Sequence, residues 1–493
     1  MKTYRPYSPE QSFLLPPSPR EWLPEGHLAY FVLDLLVELD LGEIEKAIQS
    51  KDPRGERPYS PRMMTALLLY GYAVGVFSSR KIETETFDDV AFRVLAAGEH
   101  PHFTSINEFR ARHRMALAKL FDQILKECMS AGLVKLGHVA IDGTKMKANA
   151  SKHKAMSYER MNKEEQRIKA EIEHYFELAE KIDAEEDALY GAGQQAQDLP
   201  AELRRREDRL AKIREVRAAL KKETEKARAL ELQQLANDLR TKAADPSASL
   251  KKQGEFETLA ARHDQQAAEL DDDDDDSPPP PVDDLPRNKP PKRPDGTPKP
   301  KAQRNFTDPD SRIMMRDGAF VQAYNAQVAV DEDHQIIVAA ALSNQSTDVE
   351  YFEPMLRRVV ENCNAVPERT TADSGYFSSE SLRAAEAIGT EPFISPGGHA
   401  RDGSPDELPS WHQTADRMRM RTLLETERGH AAYARRKATV EPVIGQIRTR
   451  GIRQMSFRGL LKNRLEWVFI CATHNLLKLW RSRRSTALAA APA

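Results

Sequence analysis

The chain has 493 residues and a mass of 55.7 kDa, too long for one ordinary domain. Its 73 basic and 76 acidic residues leave a net charge of −3, which on its face speaks against a polyanionic partner. The longest apolar run, Met64 to Phe77, is about 14 residues against the about 20 that a membrane span needs, so it reads as a buried helix.

Counted by segment, the near-neutral total is a cancellation. Residues 1–154 carry +2, 155–305 carry −6, 306–410 carry −11 and 411–493 carry +12. The last segment has the basic excess of a phosphate-binding surface. The one before it has the carboxylate excess of a metal site or of acidic loops. Met1–Pro17 has no apolar core of the kind a secretory signal carries. Cys128, Cys363 and Cys471 form no CxxC pair and no zinc spacing, which fits a reducing compartment. No Walker loop, GxGxxG or HExxH occurs.

Residues 18–133 read as helical. Ser60-Pro61 is a cap-plus-proline start for Met63–Phe77, and a shorter helix covers Ser79–Leu95. Ser105 and Glu108 form a capping box before Phe109–Met129, with Gly132 as the stop. That helix bears Arg110, Arg112, His113 and Arg114. The pair reads either as a helix-turn-helix touching DNA through these arginines or as a helical bundle with a solvated charged face.

Val134–Asp142 then reads as a short strand ending in a carboxylate. Residues 156–270 are rich in Glu, Lys, Arg, Ala and Leu and read as solvated helices, a hairpin broken near Gly191-Ala192-Gly193 and Pro200. Asp271–Asp276 and Pro278–Pro281 open a disordered or extended linker to 305, read as a solubilising tether rather than a DNA mimic. Strands follow at Phe320–Val330, Gln335–Leu342, Arg369–Ala372 and Glu391–Ile394, with helices at Val349–Val360 and Ser379–Ile388. Gln413–Trp480 reads as helical, with Trp467, Phe469 and Trp480 as core. The pattern is βββαβαβα with a helical insertion after the first strand, a mixed α/β sheet with helical flanks.

Asp142 ends the first strand and Asp373 the fourth, where ligands gather in α/β folds. Glu441 stands in Thr439-Val440-Glu441-Pro442, where Thr439 can cap a helix and Pro442 suits its first turn. Val440, Ile444 and Ile447 form its apolar stripe. Glu441, Gly445 and Arg448 form the neighbouring one, with Gly445 allowing close approach of a backbone or DNA. Singly, an Asp before Gly is usually a turn residue and a Glu in a first turn usually a dipole partner. As a set, three carboxylates suit a pair of Mg²⁺ ions in phosphodiester chemistry. His138, His334 and His474 have no metal-ligand spacing.

These residues resemble the DDE transposases of bacterial insertion sequences, over most of the chain outside 156–305. Asp142-Gly143-Thr144-Lys145 with Ala148–Ser151 is similar to the first-Asp segment, and Tyr324-Asn325-Ala326-Gln327 to the second-strand signature. Ala372–Tyr376 is similar to the second-Asp segment, and Tyr433, Arg436, Val440-Glu441-Pro442 and Gly445-Gln446 to the glutamate region. Tyr59-Ser60-Pro61 and Ser105–Phe109 are similar to the N-terminal domain. The Arg436–Glu441 spacing is one residue longer than the usual signature, which Lys437 would restore, and position 448 is Arg rather than Lys.

The resemblance implies an RNase H-like catalytic fold in two pieces, 134–155 and 306–480. Around them stand a helical DNA-binding region 1–133, the insertion 156–305 and a disordered tail 481–493. It implies Asp142, Asp373 and Glu441 as catalytic metal ligands for two Mg²⁺ ions, with Mn²⁺ able to substitute. It implies DNA contacts at Tyr433, Arg436, Lys437 and Arg448; with Arg110 and Arg114 these make the expected DNA-contact set. The expected partner is double-stranded DNA, bound by a homodimer or higher homo-oligomer in the cytoplasm at the nucleoid, with no membrane. The expected activity is strand cleavage at terminal inverted repeats and strand transfer. The rivals are an RNase H-like nuclease that does not join, and an inactive DNA-binding regulator. Removing 156–305 is expected to raise the net charge by 6 and strengthen non-specific DNA binding.

Overall fold

A computed structural model describes residues 18, 21–50, 57–190, 201–245, 249–270, 285–397 and 414–490. The N-terminal region is helical, as expected: α1 (Leu28–Glu38), α2 (Gly42–Gln49), α3 (Pro61–Val74), α4 (Ser79–Asp88), α5 (Val90–Leu95), α6 (Phe103–Arg112) and α7 (Arg114–Ser130). Pro61 opens α3, and Gly75 closes it in the left-handed region at φ +88°. A Cβ at Gly75 would lie 2.2 Å from the Arg450 carbonyl oxygen, so this position admits only glycine.

Two expected helices are each broken in two. Asp89 interrupts 79–95 because its carboxylate accepts from Phe92 N at 3.0 Å and caps a new helix. His113 separates α6 from α7, and the expected Ser105–Glu108 capping box lies inside α6, whose cap is the His102 ring accepting from Thr104 N.

The sheet comprises β1 (His138–Lys147), then, beyond the insertion, β4 (Arg312–Arg316), β5 (Ala319–Asp331), β6 (Ile337–Ser343), β7 (Arg369–Ala372) and β8 (Glu391–Ile394). β5, β1, β7 and β8 lie in that order. β4 and β6 share the other edge of β5, pairing with its first and second halves. β5 is antiparallel to β1, whereas β7 and β8 run parallel to β1. β4 was not anticipated. It is a hairpin arm turned by Asp317 and Gly318, both at positive φ. Helices α11 (Phe352–Cys363), α12 (Ser379–Ile388), α13 (Ala415–Glu425), α14 (Glu427–Thr449) and α15 (Leu460–Ala490) surround it.

The insertion holds β2 (Ala155–Ser157), α8 (Tyr158–Tyr190), α9 (Ala201–Ala243), α10 (Leu250–Leu270) and β3 (Gln303–Asn305). β2 and β3 pair antiparallel and pin its two ends together. Met161 and Ile168 pack on Leu210, Ile213 and Val216, while Ala229 and Leu232 meet Ala267. Gly191–Gly193, Pro200 and the acidic and proline runs of 271–284 lie outside the described residues. Residues 285–305, expected as linker, are fastened by side chains: Lys292 pairs with Glu231 at 2.6 Å and Arg304 with Glu223 at 2.9 Å.

The helical region is not separate. Its Leu35, Leu67 and Ile124 belong to one apolar cluster with Ile141, Val328, Val440 and Trp467. A buried chain of hydrogen bonds also crosses the seam, from Arg110 to Tyr72 (3.0 Å) and from Tyr72 to Glu466 (2.9 Å). α15 continues to Ala490, so most of the tail expected to be disordered is helical, and Arg483 reaches Glu127 at 3.1 Å. Among the described residues no helix is long and apolar enough to cross a membrane.

Candidate active site

Asp142 does not end its strand. β1 runs five residues further, and Ile141 pairs with Ala372 across the parallel β1–β7 ladder. Asp373, one residue past β7, therefore comes level with Asp142. Side chains alternate along β1, so Asp142 and Thr144 share one face, Gly143 and Lys145 the other.

On the Asp142 face lies α14. It packs through buried Val440, Val443, Ile444 and Ile447, much as the apolar stripe predicts. The helix does not begin at Thr439, however; it passes through with Pro442 in its interior. Proline leaves the carbonyl four residues back without a donor. That carbonyl belongs to Ala438, and Gln335 Nε2 donates to it at 3.1 Å, while Thr439 Oγ1 donates back to the Arg435 carbonyl. A side chain from the β5–β6 turn thus replaces the missing bond and keeps α14 continuous.

Continuity places Arg436 inside the site. Its side chain is 8% exposed, and Nη1 donates to Asp142 Oδ2 at 3.1 Å. Its Nη2 is 3.9 Å from Glu441, whose side chain is 56% exposed. Arg448 does not sit beside Glu441 as a partner but donates to Thr144 Oγ1 at 2.5 Å. Tyr433 lies under the Arg436 guanidinium, 5.6 Å from it, and Lys437 is exposed. Arg436, not Lys437, is therefore the cation at the carboxylates, despite the longer spacing. Gly445 faces open space.

On the other face the sequence reading missed a residue. Asp348 lies between β6 and α11 and accepts from Lys145 Nζ (3.1 Å), Asn325 Nδ2 (2.6 Å) and Gln327 Nε2 (2.9 Å). Tyr376 donates its hydroxyl hydrogen to Gln327 Oε1, the side-chain amide oxygen, closing the network. Three short motifs, around Asp142, Asn325 and Asp373, therefore converge on one carboxylate that none of them contains. Its signal in the sequence was slight: an Asp just before an amphipathic helix reads as a cap. A Cβ on Gly143 would lie 2.5 Å from Gln327 Nε2, so glycine is what lets the network close over β1.

Burial first, and then the neighbouring Asp373, push the Asp142 carboxyl up to about 6, against the lowering effects of the Gly143 N–H and Arg436. Asp373 is also raised, by burial above all and by Asp348, although it accepts from Gly375 N at 2.9 Å. Among the described residues no three His, Cys, Asp or Glu side chains converge as a metal group. Glu441 in particular stays outside the aspartate pair, with Arg436 between it and Asp142.

The expected N-terminal DNA contacts differ in setting. Arg110 is 9% exposed and donates to Tyr72, Phe77 O and Asn107, so its guanidinium serves the fold. Arg110 and Arg114 both lie over the Phe457 ring. His138 and His474 are likewise buried in structural bonds, to Glu332 and Thr371 and to the Gln335 carbonyl.

Residues 294–476 match the family described as Transposase DDE domain, and residues 17–112 match Transposase domain (DUF772). No curated protein and no solved structure matches the chain. The first match contains Asp348, Asp373, Arg436 and Glu441; the second covers the helices up to α6. Asp142 falls between the two, brought to the site by β1. Together the two matches place this chain among the DDE transposases of insertion sequences.

Proposed function

We propose that the protein cuts DNA at the terminal inverted repeats of its element and joins the freed 3′-hydroxyl to target DNA. The observation that carries this reading is the pairing of Asp142, within β1, with Asp373, just past the end of the adjacent parallel strand β7, with Arg436 facing Asp142. The acid-bearing strand lies inside a mixed sheet with helices around it, which supports the RNase H-like arrangement.

The donor chemistry fits Mg²⁺ or Mn²⁺. Two hard carboxylates destabilise each other's charge, and a divalent cation relieves that repulsion. Asp142 and Asp373 would hold it, with Glu441 as the third expected ligand. Bound there, one or two such ions would neutralise charge developing on the scissile phosphate.

The chain's own groups do the positioning. Arg436 balances Asp142, and Arg448 braces Thr144 on the same face. Lys145 and Asp348 fix the opposite face of β1. Tyr433, Lys437 and the +12 C-terminal segment supply DNA contacts. In cleavage, water attacks phosphorus, the P–O3′ bond breaks and the 3′ oxygen leaves as a hydroxyl. In joining, that hydroxyl attacks a target phosphate and a target 3′-hydroxyl leaves. One phosphodiester is exchanged for another, so no energy source is needed.

The test is a strand-transfer assay with Asp142→Ala, Asp373→Ala and Glu441→Ala, each expected to abolish joining. Near wild-type joining by any one removes that residue from the set. Supplying a pre-cleaved 3′-hydroxyl end separates the rival: a plain nuclease cuts but does not insert it.

A further inference from the structure

The insertion is acidic by composition, but its charge is unevenly placed. Eight of its 34 acidic residues fall in 271–284, and the rest of 155–305 holds 28 basic against 26 acidic. Within that remainder, residues 204–214 hold six Lys or Arg against two acids. This basic stretch lies in the first turns of α9, facing the chain that leaves β1.

Between them is a cleft of about 410 Å³, lined by His153, Lys154, Arg160, Arg209 and Lys212, with Phe306 as an apolar wall. No carboxylate lines it. Arg209 and Lys212 are held from outside by Glu164 (2.6 Å) and Glu215 (2.7 Å). His153, Lys154 and Arg160 are exposed. The cleft is tied to the six-stranded sheet by Arg312 of β4, which donates to Glu223 of α9 at 2.6 Å, and the segments that leave β1 and enter β4 are bonded to each other. Phe306 N donates to the Lys154 carbonyl at 3.0 Å, Asn305 Nδ2 to the Ser151 carbonyl at 2.8 Å, and β2 pairs with β3. Asp142 and the end of β1 are five residues apart, about 17 Å of extended strand. A duplex lying along β1 from the carboxylates would carry its backbone toward these cations.

We propose that this cleft binds backbone phosphates of duplex DNA engaged at the active site, making the insertion a DNA-binding element. The inference rests on the transposase reading above. It reverses the effect expected from net charge: removing 156–305 would weaken DNA binding although the protein becomes more positive.

The experiment uses the full chain and a 30-base-pair duplex of arbitrary sequence, with affinity measured over a series of salt concentrations. Lys154→Ala/Arg160→Ala/Lys212→Ala should bind roughly tenfold more weakly near 0.1 M salt, with a log–log salt slope shallower by about 2 to 3. The charge-keeping Lys154→Arg/Arg160→Lys/Lys212→Arg should retain affinity, which separates lost charge from lost fold. Lys251→Ala/Lys252→Ala/Arg262→Ala, three exposed cations on α10, should leave the slope unchanged. An unchanged slope in the cleft variant, or equal changes in both alanine sets, overturns the proposal. Wild-type protein that joins ends while the cleft variant keeps its slope removes the cleft alone. Wild-type protein that shows the predicted slope difference yet neither cuts nor joins removes the transposase reading and upholds the cleft.

Discussion

Arg436 donates to Asp142 at 3.1 Å across 294 residues of sequence, and its other terminal nitrogen is 3.9 Å from Glu441. One guanidinium thus bridges two of the three acids that the motif spacing selects. Arg436→Ala would leave Asp142 facing Asp373 without its nearest cation. Breaking a buried ion pair costs about 3 kcal/mol or more. Chemical denaturation should show a loss of that order, and the acid limb of the cleavage pH profile should move to higher pH. Arg436→Lys keeps the charge but not the forked geometry and should fall between. A pH limb that does not move in Arg436→Ala would detach this arginine from Asp142.

The raised carboxyl of Asp142 also sets a stability trend for the metal-free protein. A folded-state value of about 6, above the unfolded 3.8, means that folding favours the protonated form. Its contribution is fully present below about pH 4 and is lost as pH rises through 6. Asp142→Asn should therefore be more stable than wild type at pH 7.5, by up to about 2 to 3 kcal/mol before the weaker bond to Arg436 is counted. The difference should vanish near pH 3.5. Thermal melts across pH, with chelator present, check both ends.

Asp348 gathers Lys145, Asn325 and Gln327, and its replacement should be felt at the site rather than in DNA affinity. Asp348→Asn turns an acceptor of three donors into a group with its own N–H bonds aimed among them. Cleavage kcat should drop about tenfold or more, with the duplex Kd nearly unchanged. Lys145→Met should cost less in that background than in wild type, with a coupling of about 1 to 3 kcal/mol in the cycle. Additive effects would mean that the pair does not act together.

The sequence made the strands β5 to β8, the amphipathic helices and the two aspartates legible because each leaves a local pattern. A near-continuous apolar run marks β6, which is buried along its whole length, and Ser379–Ile388 is bounded by its own cap and by Gly389. What escaped depends on partners distant in sequence. Pro442 reads as a helix start until Gln335, 103 residues away from Ala438, is seen to satisfy the orphaned carbonyl. Asp348 gains meaning from Lys145, 203 residues earlier, and from Asn325 and Gln327 on β5. Arg110 reads as an exposed cation on a polar helix until Tyr72 and Phe77 close around it. The insertion's net charge concealed its local charge, since a segment sum carries no geometry.

Gly143 offers a test of how tightly the two faces of β1 are coupled. A Cβ there would lie 2.5 Å from Gln327 Nε2 and 3.1 Å from both Asp348 Oδ1 and the Tyr376 hydroxyl. Three polar groups would have to retreat, and all belong to the network around Asp348. Asp142, on the opposite face, would meet no new atom. Gly143→Ala should still fold, at a cost of about 1 to 3 kcal/mol for overpacking. Its cleavage rate should fall with that of Asp348→Asn, and combining the two changes should add little. Wild-type turnover in Gly143→Ala, with stability lowered by that amount, would show that the Asp348 network braces the strand without shaping the chemistry at Asp142.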